Sequence, residues 1–571
     1  MARFFEDHPK RQRESLNGFW HFQTDPDDIG IAEEWCKGLP KGEIVSVPSV
    51  WNTDPKLLQY EGAAFYQREI RTEGGTLRFC FDSVMTKATV WLDDVLIGSH
   101  YGGFCEFDCI AKNVGAGVHR LTVRVDNRFD TTSIPQKKVD WYHYGGITRA
   151  ICVERLHGIC VLSNQLHYSL SATRSGAKCH FLLELYNAED APLSTAITAC
   201  VGGVTVLSAR VSLGAGMRMD WSSPDFDLER IHLWDVEDPF LYDVEINTDT
   251  DGLLDRTGFR AVEMTPAGIM LNGKPLELRG INRHEEHPDW GMAFPEALMK
   301  RDLDIIEHLG CNTIRGSHYP NAQCFVDMLD ARGLLFWSEI PIWGCGFSQE
   351  TLGDPDVVAC GLEMHREMVK HYYNHPSIVI WGMHNEIRTD TPEGLEMSRQ
   401  YYRFLKENGG NRLVTYASHK PMEDICFDYC DVISLNLYFG WYTGSPDSWA
   451  EFLEQFRVRR EELGMSHKPV ILSEFGAAAL YGHHTFDNIP WTEEYQSELI
   501  SRCLELFHAD PMVVGFYVWQ FCDIRTCPQM GLNRARGFNN KGIVNEYRKP
   551  KAAYGAVKAL YTAFAKEDRS E

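Results

Sequence analysis

The sequence predicts a multidomain fold class: a jelly-roll β-sandwich, then an immunoglobulin-like β-sandwich, then a (β/α)8 TIM barrel. Up to about residue 262, short runs alternate apolar with polar residues and are broken by frequent turns, as strands with one buried face are. Beyond residue 263, continuous apolar runs alternate with amphipathic helical stretches, which indicates βα units around a parallel barrel. A chain of 571 residues has room for three such domains.

Residues 1–158 are predicted to form the first sandwich, and residues 159–262 the second, smaller one. Neither stretch contains a long helical pattern, and an alternation of period two runs through the apolar segments of both. The clearest strand candidates are 76–84, 87–100 and 119–128 in the first sandwich, and 179–187, 195–203 and 242–250 in the second.

Residues 263–571 are predicted to form the barrel. Helical stretches such as 295–310 and 322–333 separate its strand candidates. Such a barrel carries its active site at the carboxyl ends of the strands. The eight strand candidates are 276–282, 311–316, 334–340, 377–382, 412–418, 431–436, 469–475 and 514–519.

Carboxylates stand at or just past the ends of three of these strands: Glu339 at the third, Glu386 at the fourth and Glu474 at the seventh. An ionised carboxylate is costly to bury in an apolar run, so these residues are candidates for chemistry. The fourth and seventh strands lie on nearly opposite sides of the ring, so Glu386 and Glu474 can face each other across its mouth. Two facing carboxyl groups are what glycosidic bond cleavage requires, about 5–5.5 Å apart in a retaining enzyme.

Within this pair, Glu386 is assigned as the general acid/base and Glu474 as the nucleophile. The acid needs a pKa raised by its partner's charge and by burial. The nucleophile needs neighbours that keep it ionised, for which Arg315 and Tyr438 are the candidates. Glu339 is assigned to an ion pair behind the site, with a catalytic role as the alternative.

Several motifs together resemble glycoside hydrolase family 2 over nearly the whole chain. The resemblance implies a sugar-binding-like first sandwich, no cofactor, and a retaining double displacement with Glu386 as acid/base and Glu474 as nucleophile. The motifs are Asn385-Glu386 after an apolar strand, SEFG at 473–476, IRGSHYP at 314–320, RGINRHEEHP at 279–288, NGFWHF at 17–22 and DPFLYDVEI at 238–246.

The segment after the eighth strand indicates an acidic sugar. Asn539 and Lys541 match the Asn-x-Lys motif with which β-glucuronidases of this family hold the C6 carboxylate, and Arg534 or Arg536 would add a bidentate contact. A cation and fixed donors suit that task, because charge-assisted hydrogen bonds are the strong ones. Taken alone, such a segment is more often a solvated basic loop, and its place in a chain that resembles this family favours the binding role.

Further substrate contacts follow from the resemblance. Asp140 matches an aspartate that reaches from the first sandwich to the sugar 4-hydroxyl, and Tyr438 and Tyr442 match tyrosines that line the pocket. Trp519 is expected under the sugar ring, although ordinary packing explains Trp519 and Tyr442 nearly as well. The remaining substrate-binding candidates are Asn385 and His318, with His284 as a further hydroxyl ligand.

These features favour an exo-acting, retaining β-glucuronidase that hydrolyses terminal β-D-glucuronides. One open alternative is the same chemistry on β-galacturonides, β-galactosides or β-galactofuranosides. Another is a non-catalytic carbohydrate-binding protein, although the presence of both glutamates argues against it. The segment 345–361 after WSEIPIWG is shorter than the loop that β-glucuronidases acting on small drug conjugates often carry there. The resemblance therefore implies an open aglycone side, suited to oligosaccharide ends.

Composition narrows the partners. The net charge of −24 argues against nucleic acids and anionic membranes, though not against a small anionic substrate in a local basic pocket. The 17 cysteines are scattered without CxxC pairs, which predicts reduced, mostly buried thiols and no metal site. The start of the chain lacks the apolar segment of a secretory signal, so a cytoplasmic location is expected, and the oligomeric state, including a homo-oligomer, stays open.

Overall fold

The computed structural model describes residues 3–265, 268–344, 347–531 and 533–567. It confirms the predicted fold class, because two regions of antiparallel sheet are followed by a closed barrel of eight parallel strands. Within the described residues, no helix has both the length and the apolar character needed to cross a membrane. The sixteen cysteines in these ranges are free thiols, and thirteen of them are buried.

The first sandwich pairs a six-stranded with a four-stranded antiparallel sheet around one core, beside a small three-stranded sheet. Its strand Lys87–Leu92 alternates half-buried with buried residues, which is the periodicity that the sequence showed. The strands are Gln12–Ser15, Gly18–Asp25, Glu43–Val47, Ser49–Val50, Ala63–Thr72, Gly75–Phe81, Val84–Met85, Lys87–Leu92, Val95–Tyr101, Phe107–Val114, Gly117–Asp126, Gly146–Ile147 and Ile151–Leu156, with 3-10 turns at Trp35–Lys37 and Trp51–Thr53.

The second sandwich consists of two four-stranded antiparallel sheets with a core of their own. Its strand Leu193–Val201 again buries every second residue. The strands are Ile159–Leu170, Gly176–Asn187, Leu193–Val201, Val204–Leu213, Arg218–Ser222, Phe226–Glu229, Tyr242–Asn247 and Gly252–Thr257.

All eight predicted barrel strands overlap an observed one. The barrel strands are fully buried, since side chains fill the interior and helices cover the outside. In order they are Leu278–Asn282, Thr313–Gly316, Leu335–Glu339, Ile378–Asn385, Leu413–Ser418, Ile433–Asn436, Val470–Phe475 and Val513–Val518. Small sheets flank the barrel: Val262–Thr265 with Gly268–Leu271 and Lys274–Pro275, and Ile524–Arg525 with Phe538–Asn539.

The helices of the barrel begin and end where local signals place them. Helix Pro355–Tyr372 starts with a proline after Asp354, whose carboxylate accepts from the Asp356 amide. Helix Glu296–Leu309 ends at Gly310, whose φ of 94° suits a residue without a side chain. The helices are Glu296–Leu309, Gln323–Arg332, Gln349–Leu352, Pro355–Tyr372, Pro392–Asn408, Ser448–Glu462, Glu493–Ala509, Pro528–Gly531 and Ala552–Glu567, with 3-10 turns at Phe427–Tyr429 and Ala535–Gly537.

The segment predicted to leave the aglycone side open, 345–361, runs directly into these helices. Cys345 and Gly346 lie outside the described residues, and helices Gln349–Leu352 and Pro355–Tyr372 occupy most of the remainder.

A loop of the first sandwich reaches the mouth of the barrel. The Trp141 ring packs 5.7 Å from the His284 ring and 5.5 Å from the His318 ring, centroid to centroid. Nearby, Arg149 forms an ion pair with Glu285 at 2.8 Å. The first sandwich therefore contributes side chains to the same face of the barrel that carries the predicted carboxylates.

Candidate active site

Two carboxyl groups meet at the mouth of the barrel. Glu386 directly follows the fourth barrel strand, and Glu474 lies in the seventh. Glu474 accepts hydrogen bonds from Arg315 Nη1 at 2.7 Å and from the Tyr438 hydroxyl at 2.8 Å. Glu386 accepts one from the Asn436 side-chain amide at 2.9 Å. Both neighbours that were expected beside Glu474 are therefore present.

Arg315 links the two carboxyl groups into one network. Besides Glu474, its buried guanidinium bonds the side-chain oxygen of Asn385 at 2.7 Å. That same oxygen accepts from Asn436 at 2.9 Å, and Asn436 also donates to Glu386. A continuous chain of hydrogen bonds thus runs from one carboxyl group to the other, which fixes their relative position.

Glu339 is the counter-ion of Arg315. It accepts from Arg315 Nε at 3.0 Å and Nη2 at 2.9 Å, and His318 Nδ1 lies 2.7 Å from its Oε1. Burial, and then the Arg315 charge, lower the pKa of His318 well below its usual value, so this imidazole is neutral. Glu339 forms the ion pair expected of it, and His318 bonds this pair.

Burial raises the pKa of both facing carboxyl groups. For Glu474, burial and the charge of Glu386 raise the pKa to about 8, against the lowering effect of Arg315. For Glu386, burial raises the pKa and the Asn436 amide opposes it. Two interacting groups of this kind hold one proton between them near neutral pH. Arg315 and Tyr438 stabilise the anion on Glu474 more strongly than one amide does on Glu386, so the shared proton belongs on Glu386.

The backbone at Glu386 is held in the left-handed region, with φ of 53°. A residue with a side chain adopts this conformation at a cost of about 1–3 kcal/mol, and such strain concentrates at functional sites. The Glu386 amide donates to the Ala417 carbonyl of the next strand at 2.8 Å. A Cβ on Gly344 would lie 1.6 Å from the Glu386 carbonyl oxygen, so only glycine fits there. The surrounding structure thus fixes the direction of this carboxyl group.

A buried ammonium group stands beside this pair. Lys541 is 1% exposed, and its Nζ donates to the Tyr442 hydroxyl at 2.6 Å. It lies 5.2 Å from the ring centroid of Tyr438, the tyrosine that bonds Glu474. Lys541 forms no ion pair with any carboxylate in the described part of the chain. Because a buried charge without a counter-ion is costly, the position is suited to an anion that arrives from outside.

Asp140 extends from the first sandwich to the Lys541 segment. Arg534 donates to both of its carboxylate oxygens, and Asn539 Nδ2 donates to one of them at 2.9 Å. Arg534 also donates to the Tyr442 hydroxyl at 3.1 Å. Burial raises the pKa of Tyr442, but the charges of Lys541 and Arg534 together lower it by more. The pKa of this hydroxyl is therefore below its usual value. The residues predicted to bind the sugar acid therefore form one cluster of Asp140, Tyr442, Arg534, Asn539 and Lys541.

Arg536 does not join this cluster. Its guanidinium pairs with Glu546 at 2.8 Å and donates to Asn540, and its side chain is 49% exposed. Of the two arginines that the sequence offered, Arg534 is the one beside Lys541. The backbone turns between them, since Arg536 has a φ of 62°.

Two aromatic residues of the predicted site differ in exposure. Trp519 is buried, and its ring stacks on that of His318 at 5.2 Å with an interplanar angle of 23°. Tyr442 is 56% exposed, so its ring faces the entrance. Trp519 therefore lies deep in the structure against His318, and Tyr442 lies at the surface.

Sequence reasoning missed two residues at this site. Trp141 directly follows Asp140, and its place beside that residue in the sequence was the available signal. Gln520 follows Trp519, is buried, and leaves both polar atoms of its side chain without a partner among the described residues. The Nε2 of His284 and the side-chain nitrogen of Asn385 also lack a partner among them. Sugar hydroxyls can satisfy such groups, because each hydroxyl both donates and accepts.

One other cluster has the donors of a metal site. Ligand atoms of Asp327, Asp330 and His375 lie within 4.8 Å of one another, and all three residues are buried. Arg3 already pairs with Asp327 at 2.9 Å, and His375 Nδ1 lies 2.5 Å from Asp330. Arg3 and His375 therefore already contact carboxylate oxygens of both aspartates.

Comparisons with known proteins cover nearly the whole length of the chain. Residues 262–566 match the TIM barrel domain of glycosyl hydrolases family 2, and residues 13–156 match the sugar binding domain of that family. A beta-glucuronidase of Paenibacillus borealis is 26% identical over 96% of this chain and 97% of its own.

Solved structures of similar proteins include two uronidases. A GH2 beta-galacturonidase from Eisenbergiella tayi, bound to galacturonate, is 32% identical with a TM-score of 0.91, and the match covers 99% of both chains. The beta-glucuronidase of Ruminococcus gnavus is 26% identical with a TM-score of 0.86, over 98% of this chain and 99% of its own.

Proposed function

Because this chain belongs to glycosyl hydrolase family 2 and is a glycoside hydrolase, we propose that it removes terminal β-D-glucuronic acid from glycosides, with retention of anomeric configuration. The observation that carries the choice of an acidic sugar is Lys541. Its ammonium group is buried beside the carboxylate pair without a counter-ion among the described residues. A C6 carboxylate would supply that counter-ion through a charge-assisted hydrogen bond.

In the first step, Glu474 attacks the anomeric carbon and Glu386 donates its proton to the leaving oxygen. The bond to the aglycone breaks as the ester bond to Glu474 forms. Arg315 and Tyr438 keep Glu474 ionised and aimed, which supports its role as nucleophile. The raised pKa of Glu386 supports its role as the acid.

In the second step, Glu386 takes a proton from water, and the resulting hydroxide attacks the anomeric carbon of the glycosyl ester. Glu474 leaves as a carboxylate, and Glu386 holds the proton again for the next cycle. Two inversions at one carbon give net retention, so the first product released is the β-anomer of the sugar acid.

The β-galacturonide is a second candidate substrate, supported by a specific observation. The galacturonidase is 32% identical to this chain, against 26% for the glucuronidase of Ruminococcus gnavus. The two sugar acids differ only in the configuration of the hydroxyl at C4. We assign the choice between them to Asp140, whose carboxylate Arg534 and Asn539 hold at the edge of the Lys541 cluster.

Rates on p-nitrophenyl glycosides test the proposal. The β-D-glucuronide should be turned over fastest, followed by the β-D-galacturonide, and far ahead of the galactoside and the galactofuranoside. Proton NMR of the earliest product should show the β-anomer. Equal rates on acidic and neutral sugars would refute the uronide specificity, and an α-product would refute the assigned mechanism.

A further inference from the structure

A second polar cavity lies between the second sandwich and the amino-terminal end of the barrel. Its volume is about 410 Å³. Residues of the strands Ile159–Leu170 and Gly176–Asn187 form one wall, and segments 373–376 and 410–412 form the other. These segments directly precede the fourth and fifth barrel strands, whereas Glu386 follows the fourth. At about 3.3 Å of rise per residue, the eight-residue strand Ile378–Asn385 places roughly 25 Å between the cavity and the mouth that carries Glu386.

Two buried arginines line this cavity without an ion-pair partner. Arg260 and Arg412 are 1% and 8% exposed, and neither forms an ion pair with a carboxylate of the described chain. Arg260 donates to the backbone carbonyls of residues 376, 378 and 411. Arg412 donates to those of residues 373, 375, 378 and 409. Backbone carbonyls hold both guanidinium groups in place, and no carboxylate of the described residues pairs with either charge.

The electrostatics agree with this geometry. Burial, and then the charge of Arg260, lower the pKa of Arg412 to about 10. Burial also lowers the pKa of Arg260. The Asp330 carboxylate raises the pKa of both arginines through its charge, without a hydrogen bond to either. Its oxygens contact His375 and the Ser377 amide instead. Both arginines remain charged at neutral pH, and a negative charge in the cavity would relieve their repulsion.

The outer part of the cavity adds further polar side chains. Lys178 and His180 lie on one strand of the second sandwich, and Asp225 pairs with Lys178 at 2.8 Å and lies 3.9 Å from His180. Asp225 is the one carboxylate among the described lining residues. The His167 ring stacks between the rings of Tyr373 and His180, at 4.3 and 4.9 Å. The cavity therefore has a positive balance in a chain whose net charge is −24.

We propose that this cavity is a binding site for a small oxyanion, held by the paired guanidinium groups of Arg260 and Arg412 and by Lys178. Phosphate, sulfate and the carboxylate of a sugar acid share the chemistry that it recognises: a negative oxygen cluster that accepts several N–H donors. The site is separate from the catalytic mouth and does not depend on which glycoside the enzyme hydrolyses.

Binding of inorganic phosphate to the full chain tests the site, by calorimetry at a constant ionic strength set with sodium chloride. We expect saturable binding that survives in the Lys541→Ala variant, which lacks the buried ammonium group at the mouth. Loss of binding in that variant would place phosphate at the mouth and overturn the proposal. If sulfate displaces phosphate at a lower concentration than D-glucuronate does, the ligand is an inorganic anion, and the reverse order identifies a sugar acid. If phosphate, sulfate and D-glucuronate all fail to bind, the site is refuted.

Two exposed variants give opposite signs and leave the arginine pair intact. Lys178→Gln removes one cation, so the Kd for phosphate should rise about tenfold, which is the value of one charge-assisted contact. Asp225→Asn removes the opposing carboxylate and frees Lys178, so the Kd should fall. Unchanged affinity in both variants would refute the assignment. Arg412→Gln should abolish binding, and because it can disturb folding, the two exposed variants decide the test.

Discussion

Replacing Lys541 with alanine tests the substrate class most directly. The ammonium group is 1% exposed, bonds the Tyr442 hydroxyl at 2.6 Å and has no counter-ion among the described residues. A hydrogen bond to a charged group contributes about 1.5–3 kcal/mol. At about 1.4 kcal/mol per factor of ten, kcat/KM for p-nitrophenyl β-D-glucuronide should fall about 10- to 150-fold. The same substrate with its C6 carboxylate esterified is neutral, so its rate should change little.

A matched control comes from the same segment. Arg536 is a cation five residues before Lys541, but it is half exposed and pairs with Glu546 away from the cluster. Arg536→Gln should therefore leave kcat/KM for both substrates unchanged, and thermal unfolding should show that each variant is folded. An alanine variant at 541 that lost equal activity on the acid and on its ester, or that kept its preference for the acid, would refute the role assigned to this lysine.

Three further predictions concern the carboxyl groups. Glu386→Gln should lower kcat about 10²- to 10⁴-fold on alkyl glycosides and much less on p-nitrophenyl glycosides, whose leaving group needs little protonation; equal losses on both would contradict the acid role. Glu474→Gln should abolish turnover and stabilise the fold increasingly as pH rises. The reason is that the folded carboxyl pair keeps one proton, on Glu386, that the unfolded chain loses above about pH 4.5, so wild-type stability falls as the pH rises toward 8, and the variant removes one of the two interacting groups. A difference in Tm that stays constant from pH 5 to pH 8 would argue against this. Asp140→Asn should narrow the ratio of glucuronide to galacturonide kcat/KM, and an unaltered ratio would remove Asp140 from the choice at C4.

The eight barrel strands and the carboxylates at their ends were predictable because both signals are local. A parallel strand is buried on both faces and therefore appears as a short apolar run, and its carboxyl end marks the catalytic face. Glu386 and Glu474 stand out for the same reason, since each is an ionisable group that an apolar strand does not need. The strand ends of the predicted barrel therefore pointed to these two residues as the facing carboxyl groups.

The roles of the neighbouring residues required the folded chain. Glu339 also ends a barrel strand, but Arg315 donates to both of its carboxylate oxygens, whereas Glu474 accepts one hydrogen bond from Arg315. The sequence alone does not distinguish Arg534 from Arg536, because they are the same residue type two positions apart. A left-handed backbone at Arg536 directs one to Glu546 and leaves the other on Asp140.

The sequence by itself determined the order of sheets and barrel and the two glutamates at the mouth, because hydrophobic periodicity and an ionisable residue at a strand end are properties of neighbouring positions. Only the tertiary structure decided which cations lack a counter-ion. Among the described residues, Lys541, Arg260 and Arg412 have no carboxylate counter-ion. This depends on which distant parts of the chain fold around each cation, because charge balance at a buried point is set by distances in space.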